Sequence, residues 1–411
     1  MKNTEIEKIT FCKRCLYSSR HPLGLTFNEL GICSGCEIHD EKYNLNWKLK
    51  WSKLLKIVKE YRSKKNNYDC IVPISGAQDS YFTIYLIKKL GLKPLLVHYN
   101  KYFNTEVGIK NLANLRIKFN CDIIFQNVNI NSVKKITKKS LINFGNMYWP
   151  ILAGQTVFPV QISTKYKIPL IIWGAHQGTE QVGMFSHNHE VEMSRRYRKD
   201  HDLFGFEAEN LIETYDDLNE EDLYQYVYPS DYLLNQVGTR GIYLSNYVLW
   251  DPKAQHELMI KKYNYKTFTF KRTIDCYDNV DCHNYMNLHD YLKFIKHGYS
   301  KVTDQLSREI RHGRINKLMA LEIAMKCERA FPQNINLFIE WMGMKKDTLN
   351  YITNKHFNKF LKIKNNKFIS LNEIHFQKLN KKNTNKKKFN LKFIANSKNN
   401  YKKYILFGKG Y

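Results

Sequence analysis

A regular alternation of apolar runs and helix-forming stretches between residues 69 and 173 is the strongest constraint on the fold of this chain. The apolar runs lie at 69–74, 94–98, 122–128 and 168–173, and the stretches with helical spacing lie at 79–90, 106–119, 131–144 and 153–166. Continuously apolar strands are typical of a parallel sheet that is buried on both faces, with helices as the crossover connections. The pattern therefore predicts an α/β fold with a doubly wound parallel sheet.

The rest of the 411-residue chain differs in character from this core. A helix is predicted at 47–61, residues 176–287 lose the alternation and are rich in His, Glu, Tyr and Asp, and the pattern is helical from 288 to 360. We therefore predict five parts: a cysteine-containing unit at 1–45, the α/β core at 46–175, a substrate-binding region at 176–287, a helical region at 288–360 and a Lys/Asn-rich tail at 361–411. Within the tail, residues 404–407 have the apolar character of a strand or of a docking segment.

Four of the nine cysteines form two C-x2-C pairs that are separated by seventeen residues. Each pair can place two thiolates on one cation, so Cys12, Cys15, Cys33 and Cys36 together predict a tetrahedral zinc site of the ribbon type. No open ligand position is implied, and the metal is therefore expected to be structural. The other cysteines match no redox motif and are expected to be structural too: Cys70, Cys121, Cys276, Cys282 and Cys327.

The formal net charge of +27 suggests nucleic-acid binding as one possibility. Residues 361–411 hold fourteen lysines and a single acidic residue, so this end of the chain accounts for +13 of the total. An AT-rich genome would produce the same abundance of Asn, Lys, Ile and Tyr, and charge alone leaves both explanations open. No apolar run approaches the ~18 residues that a membrane helix needs, and residues 1–5 lack a signal-peptide core, so we expect a cytoplasmic protein.

The first predicted strand runs into the sequence Ser-Gly-Ala-Gln-Asp-Ser at residues 75–80, which opens a helix. Backbone N–H groups at such a turn, together with the positive end of the helix, suit a polyphosphate. Ser75 and Ser80 offer hydroxyl groups, and Asp79 suits a magnesium ion or a helix cap. The lysine of the P-loop of kinases and GTPases is absent, so a different mode of nucleotide binding is expected.

This segment resembles the S-G-G-x-D-S loop of the PP-loop ATP pyrophosphatases, which split ATP into AMP and pyrophosphate while adenylating a carbonyl or amide oxygen. Further motifs in order resemble the N-acetyl sugar amidotransferases of bacterial lipopolysaccharide, flagellin-glycan, pseudaminic acid and legionaminic acid pathways. These motifs lie between residues 11 and 330, at 27–33, 104–106 with Asn111, 169–174, 228–231, 241–247, 250–251, 289–299, 303–305 and 308–314. The resemblance implies the PP-loop form of the adenine nucleotide α-hydrolase-like fold.

The resemblance also implies a reaction. ATP would bind with its phosphates on residues 75–80 and Mg²⁺ nearby, and the acetamido oxygen of a sugar would attack the α-phosphate and release pyrophosphate. Ammonia would then displace AMP and leave an acetamidino group. Because an amide is a poor electrophile, its oxygen must first become a good leaving group, and loop donors and magnesium would stabilise the developing charge.

The chain departs from the pattern of this family at four positions. Ala77 and Gln78 stand where the family commonly has a second glycine and a lysine, and Gly174-Ala175-His176 replaces Gly-Glu-Asn after the fourth strand. Glu180 is a candidate for the carboxylate that is missing there. Ala77 adds a methyl group close to the expected phosphate position.

The candidate site residues follow from these motifs and from the rule that doubly wound sheets bind ligands at the carboxyl ends of their strands. The predicted catalytic residues are Asp79, Ser80, His176 and Glu180. The predicted nucleotide-binding residues are Ser75, Gly76, Ala77, Gln78, Asp79, Ser80, His98, Asn100 and Gly174. The predicted substrate-binding residues are Asn104, Glu106, Arg195, Asp231 and Asp251.

Several of these residues also have simpler explanations. Asp231 and Asp251 could begin a helix or turn, because aspartate is a common helix cap. The arginines at 195, 196 and 198 could bind an anionic group or lie solvated at the surface. Residues 187–190 (His-Asn-His-Glu) could bind a metal, although such a cluster in a polar loop more often contacts solvent or substrate.

The chain does not begin with a catalytic cysteine and shows no nucleophile elbow, so a separate glutaminase partner is expected to supply ammonia. The expected substrate is an N-acetylated sugar or nucleotide sugar rather than a nucleic acid. One alternative is a tRNA-modifying PP-loop enzyme, a thiolase or a lysidine-forming ligase, which would share the loop and the basic charge. Another is a non-catalytic protein that retains the fold, which the changes at residues 77, 78 and 175 would suit.

Overall fold

A computed structural model describes residues 9–102, 104–333, 335–358, 361, 363–364, 367–380 and 391–395. Most of the Lys/Asn-rich tail, including the apolar stretch at 404–407, lies outside the described residues. No helix in the described part of the chain is both long enough and apolar enough to cross a membrane.

Five strands of the described chain form one parallel sheet in the order β3-β2-β1-β4-β5. The strands are β1 Cys70–Ile74, β2 Pro94–Tyr99, β3 Ile123–Gln126, β4 Leu170–Trp173 and β5 Arg240–Tyr243. Cys70 pairs with Pro94, and Leu170 pairs with Arg240. The predicted doubly wound parallel sheet is confirmed, and its switch point lies between β1 and β4.

The sequence pattern showed four of these strands, and the structure adds β5. This strand has four residues, Arg-Gly-Ile-Tyr, with a glycine in the interior and an arginine at the start, so it has no apolar run to reveal it. Its position is set by the edge of β4, where Ile242 pairs with Ile172 and is fully buried.

The junction of β1 and β4 is short, with paired positions at Ile71 and Ile171. Pro73 follows within β1 and has no N–H group to extend the ladder toward its neighbours. The pairing therefore ends before the carboxyl ends of these strands, where loop 75–80 begins.

Helices cover both faces of the sheet and form the described C-terminal region. The first six are α1 Ser34–Asn44, α2 Trp47–Tyr61, α3 Gln78–Lys89, α4 Glu106–Phe119, α5 Ile130–Phe144 and α6 Trp149–Tyr166. The next five are α7 Ala208–Thr214, α8 Asp231–Val237, α9 Pro252–Tyr263, α10 His283–His297 and α11 Lys301–Arg311. The last four are α12 Lys317–Glu328, α13 Ile335–Met342, α14 Lys346–Lys355 and α15 Leu371–Asn380.

Short elements complete the described chain. Single helical turns lie at Gly178–Val182, His187–His189, Arg195–Tyr197, Arg198–Asp202, Glu220–Leu223, Tyr224–Tyr226 and Leu244–Asn246. Two short strands, β6 Ile363–Lys364 and β7 Lys367–Phe368, pair antiparallel. The predicted helical character of the C-terminal region is confirmed by α10 to α14.

The N-terminal cysteine unit packs against the C-terminal helices. Tyr17 donates its hydroxyl hydrogen bond to Asp304 at 2.8 Å, and Lys317 donates to the carbonyl of Cys12 at 2.5 Å. Leu16 packs with Leu306 and Ala320 in a buried apolar cluster. The cysteine unit thus packs on α11 and α12.

Candidate active site

The four cysteines of the two C-x2-C pairs converge in a buried cluster. All four Sγ atoms lie within 4.8 Å of one another, with 3.9 Å between Cys12 and Cys36 and 3.5 Å between Cys15 and Cys33. A tetrahedron with Zn–S bonds of about 2.3 Å has edges of about 3.8 Å, so the donor set fits zinc. The backbone N–H groups of Arg14, Cys15 and Cys33 point at Cys12 Sγ from 3.3–3.4 Å, which stabilises thiolate charge.

This cluster lies directly behind the wall of a cavity. Arg311 connects the two, because its Nη2 lies 3.9 Å from Cys15 Sγ while its Nη1 donates to the carbonyl of Gln181 at 2.7 Å. Cys33 is the N-cap of α1, and this helix carries His39 and Lys42 to the cavity wall. A metal on the cysteines would therefore fix one side of the cavity.

The cavity has a volume of about 380 Å³ and lies at the switch point between β1 and β4. Loop 75–80 contributes Gln78 and Asp79, and the segment after β4 contributes Ala175, Gln177 and Glu180. Helices α1, α9, α10 and α11, with the segment before α10, supply the other walls. The structure thus brings predicted loop and post-β4 residues into one site.

The serines of loop 75–80 shape the loop itself. The backbone N–H of Ser75 donates to Ser80 Oγ at 3.0 Å, and the N–H of Ala77 donates to Ser75 Oγ at 3.2 Å. Gly76 has a φ of +79°, in the left-handed region that favours glycine. Both serines therefore hold a tight turn at the start of α3.

The two unusual loop residues have ordinary local geometry. Ala77 is the N-cap of α3, with φ of −78° and ψ of 177°, which is extended backbone that any residue adopts. Gln78 donates from Nε2 to Asp278 Oδ1 at 2.6 Å. The amide at position 78 therefore connects the loop to the segment that precedes α10.

Asp79 lies at the cavity with a partner from α9. His256 Nε2 donates to Asp79 Oδ1 at 2.7 Å, and the Asp79 side chain is 39% exposed. The histidine is buried, so this contact fixes one carboxylate oxygen and leaves the carboxylate accessible from the cavity.

A charged cluster around Asp278 forms the wall next to the loop. Lys301 Nζ lies 3.4 Å from Asp278 Oδ2, and Gln305 Nε2 donates to Asp278 at 3.0 Å and also to Asp275. Burial and the neighbouring Asp278 charge raise the pKa of Asp275 to about 8. Burial opposes ionisation of Asp278, but Lys301 and Arg308 hold its pKa below the ordinary value. At neutral pH one carboxylate of the pair is thus ionised and the other protonated.

Glu180 and Lys42 form a buried ion pair on a further wall. Their side chains are 9% and 3% exposed, and Lys42 also donates to the carbonyl of Trp250 at 3.1 Å. Burial raises the pKa of Glu180, and the Lys42 charge opposes that shift. Such a carboxyl is suited to proton transfer.

His176 lies in a second cavity of about 160 Å³, which shares Ala175 and Gln177 with the first. The ring contacts Tyr197 and Tyr243, with centroid distances of 4.6 Å and 4.9 Å. Burial lowers the pKa of His176 to about 4, so the ring is neutral near pH 7. His176 and Glu180 therefore face two adjoining spaces.

The predicted residues after β2 form a structural network. His98 Nδ1 contacts the carbonyl of Ile74 at 3.1 Å, and the ring is buried. Asn100 donates to Asn127 at 2.7 Å and accepts from Asn104 at 2.8 Å. Glu106 pairs with Lys110 at 2.7 Å on the first turn of α4. These side chains are not among those that line the two cavities.

The remaining predicted substrate-binding residues lie near the second cavity or at the ends of helices. Arg195 pairs with Glu207 at 2.8 Å and lies over the ring of Tyr228 at 5.3 Å. Asp231 is the exposed first residue of α8. Asp251 caps α9 and pairs with Arg314. The helix-cap explanation therefore describes the contacts of Asp251.

Gly174 and the cluster at 187–190 are the last of the candidates from the sequence. Gly174 follows β4 and accepts the backbone N–H of Ser245 at 3.1 Å. In the cluster at 187–190, Glu190 pairs with Lys50 at 2.6 Å and Lys53 at 2.8 Å. Among the described residues, the four cysteines are the group whose His, Cys, Asp or Glu donor atoms converge as metal ligands.

Several charged residues of the cavity were not predicted as site residues from the sequence, among them Lys42, His256, Asp278, Lys301 and Arg308. They lie far from loop 75–80 along the chain, and each is an ordinary residue of a helix or loop in its local sequence. For Arg308 the sequence did carry a signal, because the motif at 308–314 contributed to the family resemblance.

The described residues form a doubly wound α/β fold with a helical C-terminal region, and much of that region matches a family model. Residues 260–392 match the family model for the C-terminal domain of WbpG-like LPS biosynthesis proteins. The match includes α10 and α11, which line the cavity. Over this segment it confirms the resemblance to proteins of lipopolysaccharide biosynthesis that the sequence motifs predicted.

A curated relative covers less of the chain. An uncharacterized protein of Methanocaldococcus jannaschii is 25% identical over 117 residues, which are 28% of this chain and 42% of that protein. The chain thus spans less than half of the length of this relative.

Two solved structures also share a low similarity with the chain. An NH3-dependent NAD synthetase from Campylobacter jejuni, in complex with the nitrate ion, gives a TM-score of 0.26 at 16% identity, over 47% of this chain and 92% of that chain. An NMN synthetase from Francisella tularensis gives a TM-score of 0.28 at 11% identity, over 50% and 98%. At such scores the two likenesses support no conclusion about activity.

Proposed function

We propose that this protein is an ATP-dependent amidotransferase that converts the acetamido group of a sugar to an acetamidino group during surface-glycan synthesis. One observation carries the proposal: loop 75–80 and the helices of the WbpG-like segment line the same charged cavity at the switch point of the sheet. Doubly wound sheets bind ligands at that place. The WbpG-like match supports a sugar substrate.

ATP would bind with its phosphates toward the start of α3, where the positive end of the helix and the turn at Gly76 favour anions. Asp79 and Asp278 both line the cavity and offer carboxylate oxygens, which are the ligands that Mg²⁺ prefers. When bound, Mg²⁺ would neutralise charge on the phosphates. The position of Ala77, in extended backbone, is compatible with a bound nucleotide.

In the first step, the acetamido oxygen would attack the α-phosphate of ATP, form a C–O–P bond and release pyrophosphate. In the second step, ammonia would add to the activated carbon, and AMP would leave with the oxygen. Glu180, whose pKa is raised by burial, is our candidate to accept a proton from the adding ammonia. Lys42 would keep this carboxylate oriented.

The smaller cavity is our proposed site for part of the sugar. It adjoins the larger cavity through Ala175 and Gln177, and its walls include His176, Tyr197 and Tyr243. Mostly apolar walls with a few polar groups are typical of small-ligand sites. A sugar bound there would present its acetamido group toward the nucleotide.

The experiment incubates the purified protein with ATP, magnesium, ammonium and a panel of nucleotide-linked N-acetyl sugars. We expect AMP, pyrophosphate and a product in which NH replaces oxygen, detected by mass spectrometry. Asp79→Asn should lower the rate by about 100-fold or more, since it weakens both the magnesium contact and the contact with His256. The same incubations of wild-type protein and Asp79→Asn without ammonium provide the control.

Absence of AMP formation with every N-acetylated sugar would contradict the proposal. A tRNA-modifying enzyme is the second candidate, because the net charge of +27 favours a polyanion partner. Recovery of tRNA with the purified protein, together with tRNA-dependent ATP cleavage, would establish that alternative. If the wild-type protein bound neither ATP nor pyrophosphate, the non-catalytic alternative would be favoured.

A further inference from the structure

Helix α11 presents a polar face to the larger cavity. The wall residues on this helix are Lys301, Asp304, Gln305, Arg308 and Arg311, which follow helical spacing. Val302, Leu306 and Ile310 pack on the other side, in the apolar cluster with α12. The helix is thus held by its apolar side, while its charged side faces the ligand space.

Two cations of this face lack close partners. Arg308 Nε is buried and has no hydrogen-bond partner among the described residues. Its ion-pair partner there is Glu309, with 3.6 Å between Arg308 Nε and Glu309 Oε1. Lys301 Nζ contacts Asp278 at 3.4 Å. Charge-assisted hydrogen bonds are usually about 2.7–2.9 Å long, so both contacts are loose.

Other cations of the cavity are already engaged. Lys42 pairs with Glu180, and Lys293 pairs with Asp304 at 2.7 Å. Arg311 donates to the carbonyl of Gln181 at 2.7 Å. The Lys301 and Arg308 side chains are 23% and 26% exposed and line the cavity, so both charges are accessible from the ligand space. Their loose contacts point to an anionic ligand there, since charged groups make their strongest hydrogen bonds to ionised partners.

One carboxylate, Asp278, connects Lys301 to the loop. Asp278 accepts from Gln78 Nε2 at 2.6 Å through Oδ1 and contacts Lys301 through Oδ2. The related family commonly has a lysine at position 78. In this chain the Gln78 amide contacts the same carboxylate as Lys301. Lys301 and Arg308 are two helical turns apart on the side of α11 that lines the cavity, so their long side chains can reach the same ligand.

We propose that Lys301 and Arg308 bind the pyrophosphoryl group of ATP, so that the WbpG-like segment supplies the cations that loop 75–80 lacks. This inference rests on the proposed function. It assigns to α11 the binding of the β- and γ-phosphates and, after attack at the α-phosphate, of the departing pyrophosphate. Two cations on a rigid helix would stabilise the negative charge that this leaving group gains.

Calorimetric titration of the full-length protein with ATP, AMP and inorganic pyrophosphate tests the assignment. Arg308→Gln and Lys301→Gln should each weaken binding of ATP and of pyrophosphate by about 10- to 100-fold, while AMP affinity changes less than about twofold. Arg308→Lys should retain most of the affinity, because the positive charge remains. Arg329→Gln is the matched control, since that arginine is 70% exposed on the same segment, outside the cavity.

Melting temperature and zinc content will show that each variant is folded. If Arg308→Gln cannot be purified, Lys301→Gln and Arg308→Lys decide the question. Unchanged ATP and pyrophosphate affinity in both glutamine variants would overturn the inference and leave the proposed function standing. The inference would also be overturned if the glutamine variants lost affinity for a nucleoside-diphosphate-linked N-acetyl sugar while their ATP binding stayed intact. Failure of the wild-type protein to bind ATP would refute the proposed function itself.

Discussion

At residue 76 both the backbone conformation and the close approach of Leu112 favour glycine. The φ of +79° is unfavourable for L side chains, and a Cβ there would lie 3.1 Å from Leu112 Cβ. We predict that Gly76→Ala lowers the free energy of unfolding by about 1–2 kcal/mol and weakens ATP binding, because the turn at the start of α3 must change. Urea unfolding and ATP titration on the same protein measure the two effects.

Ala77→Gly is the adjacent control for that variant. Residue 77 has ordinary extended backbone, and glycine and alanine are both accommodated at this N-cap. We expect the stability to change by only a few tenths of a kcal/mol to about 1 kcal/mol and ATP affinity to stay within about twofold. A tenfold loss of affinity would show that the methyl group itself contributes to the loop.

Glu328 on α12 predicts a pH dependence of stability. The side chain is buried, its Oε1 accepts from Asn372 at 2.8 Å, and burial raises the pKa of this carboxyl to about 7. A raised pKa in the folded state means that stability is present below the unfolded value of about 4.5 and is lost as pH rises toward 7. The free energy of unfolding of Glu328→Gln should therefore equal that of the wild type at pH 4.5 and exceed it by about 3 kcal/mol above pH 7.

Denaturant unfolding at a series of pH values measures that difference. Glu340→Gln is the matched control, because Glu340 is exposed on α13, and its effect should stay within about 0.5 kcal/mol at each pH. A constant difference between wild type and Glu328→Gln across the pH range would contradict the prediction.

At the scale of elements, the cysteine unit and α1 act together. Cys33 caps α1, and Lys42 on the same helix reaches Glu180 in the cavity. We predict that Cys15→Ser loses bound zinc, lowers the melting temperature and weakens ATP binding, because structural zinc contributes directly to folding. Metal analysis, thermal melting and ATP titration check the three outcomes.

Cys121→Ser is the control for the metal prediction. Cys121 is half-buried after α4, away from the cluster, so its replacement should leave about one zinc ion per chain. If Cys15→Ser kept its zinc and its melting temperature, the cluster would not be the metal site. A strong chelator should reproduce the Cys15→Ser result in the wild-type protein.

At the scale of the whole molecule, the cysteines bear on the source of ammonia. Four of the nine form the cluster that fits zinc, and burial raises the pKa of each of the other five thiols: Cys70, Cys121, Cys276, Cys282 and Cys327. A glutaminase nucleophile needs a lowered pKa instead. We predict that the purified chain uses ammonium and not glutamine, unless a glutaminase partner is added, as measured by AMP release with each nitrogen source.

Glutamine-dependent AMP release by the chain alone would contradict this expectation. A buried or half-buried thiol would then have to act as nucleophile, and serine replacement of Cys282 and Cys121 would identify it. Cys282 Sγ lies 3.5 Å from Lys101 Nζ and from Tyr148 Oη, whereas Cys121 has no such charged neighbour in its hydrogen bonds.

Local sequence patterns determined the elements whose residues are neighbours along the chain. Apolar runs with intervening helices predicted the sheet and placed α4 at residues 106–119, where the structure has it. The paired cysteines predicted their own convergence, since each C-x2-C turn places two thiolates together. Loop 75–80 was visible because its strand, turn and helix are consecutive.

Tertiary structure alone decided which distant side chains share the cavity. Lys42, Glu180, Asp278 and Arg308 come from four separate parts of the chain and meet only because the cysteine unit and α11 dock beside the sheet. It also decided that His176 and Glu180 face different spaces, and that a four-residue segment with an interior glycine forms β5. Short-range periodicity reports which face of an element is buried, whereas the partner of that face depends on packing between elements far apart in sequence.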